Sequence, residues 1–269
     1  MSPEQETRFG FGQNWSRYLT LVDETRIFEA ETSLKNMLEI DSLEGLTFLD
    51  IGSGSGLFSL AARRLGAKVH SFDYDEDSVN CTAELKKLYF ENDPLWQVEQ
   101  GSALDSEYIE SLGKFDIVYS WGVLHHTGAM WDALKLAQTP CKPGGKLFIS
   151  IYNDQNKRSA AWTQVKKAYC SGPLGRMLVL GVFMPQFFVQ GFLRDVVSLK
   201  SPIERFRSND SRRGMSPFYN WIDWLGGYPF EVASPEAIFD FYRADDFSLE
   251  RIQTTNSMGC NQFVLSRDS

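Results

Sequence analysis

Two stretches of this chain carry residue types whose spacing suits chemistry. The first is Asp50-Ile-Gly-Ser-Gly-Ser-Gly56. Glycines let a backbone turn sharply and approach a ligand closely. A Walker phosphate loop needs Gly-Lys-Ser/Thr at its end, and Leu57-Phe58 follows Gly56, so that reading fails. The dinucleotide fingerprint GxGxxG, counted from Gly52, needs glycine where Leu57 stands. A nicotinamide oxidoreductase is therefore disfavoured. A third reading is an adenosine-plus-amino-acid ligand with no pyrophosphate. It suits Asp50, whose carboxylate would repel a phosphate and attract an ammonium. The second stretch is His125-His126. A near-neutral pKa makes histidine a natural base for a phenol or other hydroxyl. The plainer reading is that one of the pair caps the following helix.

These residues need elements to position them. Residues 23–40 have helical spacing, with Ile27, Leu34, Met37 and Leu38 on one face. Leu46–Ile51 reads as a buried strand entering the glycine loop. Leu57–Leu65 follows as a helix stopped by Gly66. Then come a strand at 68–73, a helix at 78–90, a weaker strand at 96–100, a strand at 115–120, a helix at 129–139 and a strand at 146–152. This alternation predicts an α/β fold, a parallel sheet covered on both faces. The rhythm breaks after Tyr152, where residues 156–230 read as helical and loop-like. It resumes with a helix at 235–244 and strands at 247–254 and 260–266. Only Asn256–Gly259 separates those two strands, so they should pair antiparallel.

The 269 residues carry net charge −8, with 43% hydrophobic and 14% aromatic residues. That is enough apolar surface for a real core, which excludes disorder as the main state. The acidic balance argues against a nucleic-acid partner. Cys81, Cys141, Cys170 and Cys260 form no ligand spacing, which fits a reduced, cytoplasmic chain. The N-terminus has no apolar signal region. The run Met177–Leu193 is interrupted by Gly181, Pro185, Gln186, Gln190 and Gly191, so a stable membrane span is not expected.

Phe48-Leu-Asp-Ile-Gly-Ser-Gly-Ser-Gly56 resembles motif I of the class I S-adenosylmethionine (SAM) dependent methyltransferases. Asp73 stands 17 residues after Gly56. Phe115–Thr127 resembles the family's fourth-strand motif, and Lys142-Pro-Gly-Gly145 the turn before its fifth strand. The resemblance covers about residues 46–152 and extends to the terminal strand pair. It implies a Rossmann-like seven-stranded sheet with one antiparallel strand and SAM as cofactor. It also implies roles. Asp50, Gly52, Ser53 and Gly54 would lie at the methionine part and ribose, Asp73 would bind the ribose hydroxyls, and Tyr74 would flank the adenine. Ser102 and Ala103 would edge the adenine, where many relatives have Asp in place of Ser102. Ser120 and Trp121 would face the methionine portion. In small-molecule relatives of the ubiquinone-pathway type a histidine matching His126 lies near the acceptor. His126 is the base this implies, with His125 second.

The cluster Arg8–Tyr18 resembles the family's N-terminal lid. Trp15 and Tyr18 would then shield the sulfonium through their ring faces, and Tyr18 would pair with His126. Packing of Phe9, Phe11 and Trp15 on the sheet edge is an equal alternative. Magnesium-dependent relatives place an acid at the end of the fourth strand, where Ser120-Trp121-Gly122 stands here. Asn153-Asp154 lacks that partner, so no metal is expected.

The resulting organisation is a helical lid (1–45), a SAM-binding domain (46–152 and 233–269) and a cap insertion (153–232). The cap is rich in aromatics, which suits a mostly apolar small molecule; Tyr152 and Trp221 are its candidate contacts. From Lys200 to Arg213 it carries five positive and two negative charges. This is either a solvated face or, at Arg212 or Arg213, a grip on an anionic acceptor. Met177–Leu193 would pack as a cap helix pair or form a homodimer interface, ahead of touching a membrane surface. The function expected is methyl transfer to a small aromatic-containing acceptor, most simply at oxygen. N- or C-methylation and a non-catalytic SAM-binding protein are the alternatives.

Overall fold

A computed structural model describes residues 22–198 and 217–268. In chain order it contains α1 (Glu24–Leu38), β1 (Thr47–Ile51), α2 (Leu57–Arg64), β2 (Lys68–Asp73), α3 (Glu76–Tyr89), β3 (Trp96–Gln100), α4 (Ser106–Ser111) and β4 (Phe115–Trp121). A 3-10 turn (Leu124–His126) leads to α5 (Met130–Ala137), β5 (Cys141–Tyr152), α6 (Lys157–Cys170), α7 (Pro173–Val197) and α8 (Pro217–Gly226). The last elements are α9 (Pro235–Arg243), β6 (Phe247–Gln253) and β7 (Cys260–Arg267).

The sheet order is β3-β2-β1-β4-β5-β7-β6. All pairings from β3 to β5 are parallel, and β7 runs antiparallel to both β5 and β6. Two cores follow from strand alternation. Leu49, Val118, Leu147, Ile149 and Phe263 meet α4, α5 and α9 on one face. Phe48, Val69, Ile117, Phe148 and Val264 meet α1, α2 and α3 on the other. Helix starts are set by side-chain caps that satisfy free amides. Asp23 accepts from Arg26 N, Asp75 from Asp77 N, Asp105 from Tyr108 N, and Ser234 from Ala237 N.

Three expectations change. The short helix α4 went unforeseen, because six residues offer little period to read. The fifth strand begins at Cys141, and the Lys142–Gly145 turn lies inside it as an irregularity against β4, with register lost between Phe115 and Ile117. The residues 177–193 form no helix pair. One 25-residue helix runs through Pro185; proline removes one backbone donor but does not force a chain reversal.

Phe263 is fully buried between β5 and β6. Phe263→Ala is expected to cost about 3–5 kcal/mol, read as a lower urea midpoint with an unchanged slope.

Candidate functional site

The strand order reverses direction between β1 and β4, the crevice where open α/β sheets bind ligands. Gly52, at the end of β1, has φ +77°, and a Cβ there would come within 2.4 Å of Val123. Only glycine fits this arch without strain. The amides of Gly52 and Ser53 both donate to Phe72 O, at 2.9 and 3.0 Å, which ties the loop to β2. Ser53 Oγ pairs with Thr82 Oγ1 at 3.0 Å. Gly54 N donates to Asp73 Oδ2 at 2.9 Å, and Asp75 N to Asp73 Oδ1 at 3.0 Å. The loop and the β2 carboxylate are thus one unit. Tyr74 beside it is half exposed. At the end of β3, the Ser102 hydroxyl accepts from Leu104 N at 3.2 Å, and Ala103 packs on the core beside Leu104.

Two acids of this region sit deep. Asp50 is buried beneath the loop and accepts from Ser59 Oγ at 2.5 Å. Ser59 pairs with Ser71, which accepts from Trp96 Nε1 at 2.9 Å. Asp50 therefore points into the α2 face of the sheet. Burial pushes its carboxyl up to about 7 and that of Asp73 up to about 6. Ser120 is also interior, donating to Ile51 O at 2.9 Å. That bond locks β4 to β1 below the crevice.

Beyond β4 a cleft of about 460 Å³ opens, lined by Trp121, Tyr152, Trp224, Ser257, Met258, Gly259 and Cys260. Tyr152 organises its inner wall. Its ring lies 4.2 Å from His125, 5.6 Å from His126, 6.0 Å from Trp224 and 4.9 Å from Phe230. His126 Nδ1 approaches Pro229 O at 2.6 Å. A carbonyl only accepts, so Nδ1 carries the proton, and Nε2 is the basic nitrogen of the neutral ring. Burial holds His126 down at about 4, with the Lys166 charge adding to the effect. His125 is fully buried and held lower still by burial, then by His126 and Lys166. Neither histidine caps α5. The Glu231 carboxylate accepts from Met130 N instead, at 3.1 Å.

Lys166 was missed from sequence, since Lys166-Lys167 reads as a solvated helix face. It is buried, donates to Trp224 O, and places Nζ 4.1 Å from the Trp224 ring and 4.8 Å from the Phe230 ring. The 256–259 turn was also read only as a connector. It is a wall of the cleft, held by Asn153, whose amide donates to Thr255 O and Ser257 O and accepts from Asn261. Trp221 lies one turn before Trp224 and packs at a tilt on Phe187 of α7 at 5.8 Å, while Trp224 lines the cleft. Trp15, Tyr18, Arg212 and Arg213 lie outside the described residues.

A glycine arch, a carboxylate one strand away and a neighbouring cleft, all at the carboxyl edge of a 3-2-1-4-5-7-6 sheet, make a crevice of the nucleoside-cofactor-binding class. A methyltransferase-domain family model matches residues 23–173, more than half of the chain. The chain belongs to that family, the class I SAM-dependent methyltransferases. It is 33% identical over 119 residues to the ubiquinone biosynthesis O-methyltransferase of Caulobacter vibrioides, covering 41% of this chain and 42% of that protein. The protein of the same name in Parvibaculum lavamentivorans is 30% identical over 139 residues, covering 49% and 50%. The match thus spans half or less of the length of these curated relatives. Among solved structures, the magnesium protoporphyrin IX methyltransferase of Synechocystis with bound S-adenosylhomocysteine (SAH) superposes with TM-score 0.56 at 13% identity, over 96% of this chain and 94% of that one. PKMT2 of Rickettsia typhi, in complex with the same compound, gives 0.55 at 13% identity, over 88% and 52%. These two likenesses concern the fold.

SAM is the cofactor of this family. The residues present fit it: the arch leaves bare backbone above β1, and Asp73 offers an acceptor of the kind ribose hydroxyls need.

The unfolded chain would release the Asp50 proton near pH 4, whereas the folded chain holds it to about 7. Folding stability from this group therefore falls as pH rises between those values. Asp50→Asn is expected to flatten that fall by more than about 1 kcal/mol in urea unfolding compared at pH near 4.5 and near 7.5. Equal slopes for the two proteins would contradict the buried, protonated carboxyl.

Proposed function

We propose that this chain methylates a hydroxyl oxygen of a small aromatic acceptor, with His126 as the base. The observation that carries this reading is the His126 ring, fixed by Pro229 O and packed edge-on against Tyr152 at the cleft wall. Gly52, Ser53, Gly54, Asp73 and Tyr74 would hold the cofactor, with Ser102 and Ala103 at its adenine end and Trp121 between it and the acceptor. Asp50 and Ser120 act from below by fixing the strands. When bound, SAM supplies a methyl already activated on a sulfonium.

What remains for the chain is alignment, exclusion of water and removal of one proton. Trp121, Tyr152, Trp224 and Met258 offer an apolar, aromatic enclosure for a ring-bearing acceptor. As the acceptor oxygen gains its methyl it loses its proton, which passes to Nε2 of His126. Nδ1 keeps its own proton on Pro229 O. A base held near 4 is neutral at pH 7 and always ready to accept, but it accepts weakly. This favours an acidic hydroxyl such as a phenol over an alkyl alcohol. The Lys166 charge behind Trp224 and Phe230 favours the ionised phenol in the same way.

The O-methyltransferase names of the relatives support oxygen as the acceptor atom. Acidic net charge supports a small molecule over a nucleic acid, and four free cysteines support a cytoplasmic setting.

Two substitutions separate the parts of this reading. Asp73→Ala is expected to weaken SAH binding more than about tenfold in calorimetry, as loss of charged hydrogen bonds does. His126→Ala is expected to leave SAH affinity within about threefold but to cut turnover of a phenolic acceptor panel by about 10²–10⁴, read as SAH release. Unchanged turnover would remove His126 from the mechanism.

A further inference from the structure

Helix α7 presents two opposite apolar faces. Val179, Leu180, Phe183, Met184 and Phe187 pack inward with Trp162 and Tyr169 of α6 and Ile222 and Leu225 of α8. Leu174, Leu178, Val182, Val189, Leu193 and Val196 point outward, each between 49% and 66% exposed. At 3.6 residues per turn those six fall within about 100° of arc. From Leu174 to Val196 the row is about 33 Å long. A continuous apolar row of this size on a surface marks an interaction site.

Charge identifies the partner. Among the described residues, 157–198 contain six Lys and Arg against one Asp, a net +5, and every base but the buried Lys166 is exposed. The whole chain is −8, so the remainder carries −13. The outward row thus sits in a basic segment of an acidic protein. A second copy would bring like charge against like charge. A phosphate backbone would reward the charge but not the exposed leucines and valines. An anionic lipid surface rewards both. The helix has the length and hydropathy to cross a bilayer, but its inner face is committed to α6 and α8, which places it in the plane of the interface.

We propose that the outward face of α7 docks on an anionic membrane surface. Behind that face, from the inner side of the helix, a run of ring contacts leads to the cleft: Phe187 lies 6.5 Å from Trp162, Trp162 5.4 Å from Trp224, and Trp224 6.0 Å from Tyr152. The docked face and the cleft thus share one aromatic framework, which suits an acceptor dissolved in lipid. The docking itself does not depend on the acceptor or on His126.

The test is co-sedimentation of the full chain with vesicles of phosphatidylcholine alone and of phosphatidylcholine with phosphatidylglycerol. Binding is expected only to the anionic vesicles, and to weaken at least about tenfold between low and high salt. Leu178→Glu combined with Val189→Glu is expected to lower that binding at least about tenfold, with SAH affinity within about twofold by calorimetry as the check on folding. No binding of the unaltered chain to anionic vesicles overturns the proposal, as does equal binding by the double variant. A concentration-dependent dimer in sedimentation velocity, lost in the double variant, would assign the face to a second copy and also overturn it.

Discussion

The site depends on one tight turn. Gly52 leaves β1 with a positive φ, rests against Val123, and gives its amide, with that of Ser53, to a single carbonyl of β2. Three separate strands of chain therefore meet at one peptide. The arch needs glycine because any Cβ would strike Val123. It needs Phe72 O in register, which the parallel pairing of Ile51 with Phe72 supplies. It also needs β4 at a fixed height, which the Ser120 bond to Ile51 O sets. The carboxylate of Asp73, bonded to Gly54 N, is then placed by the same turn. The crevice is a consequence of backbone geometry before any side chain enters it.

That explains why this half of the molecule was legible. Strand runs such as Thr47–Ile51, almost wholly buried, and Lys68–Asp73, buried at Val69, Ser71 and Phe72, are bounded by glycine or an acid, so their limits are written locally. The antiparallel β6–β7 pair was legible from the short turn between its strands. Local signals fail where a role depends on tertiary neighbours. Lys166 looks like a surface lysine until α8 wraps Trp224 and Phe230 around it. The 256–259 turn becomes a cleft wall only because Asn153, a hundred residues earlier, bonds its carbonyls. Glu231 caps α5 from the far side of the cap. Each is a long-range pairing with no periodicity to reveal it.

The electrostatics of the site share one direction. Burial pushes Asp50 and Asp73 up and the two histidines down, so each group is driven toward its neutral form. A pocket with few net charges of its own suits a cationic cofactor beside an apolar acceptor, since neither has to compete with a strong field. Lys166 is the exception, and it stands behind two ring faces, where its charge is felt through the aromatics without contacting solvent. The same cation lowers both histidines. One buried lysine thus links the geometry of the Trp224–Phe230 segment to the protonation of His125 and His126 beside it.

The charge of the whole chain divides along the same boundary as its architecture. The sheet and its covering helices carry the acidic excess, while residues 157–198 carry the basic excess and the exposed apolar row of α7. On the proposed docking, two unlike surfaces on one chain would orient it near an anionic plane, because the acidic body is repelled while the basic segment is drawn in. Tyr152 ends β5 at the junction of the two, touching His126 on one side and Trp224 on the other. The strand therefore delivers one ring to both chemistries. On the proposed reading, an acceptor arriving through the apolar segment would meet the crevice at the residue where the parallel sheet gives way to the helical insertion.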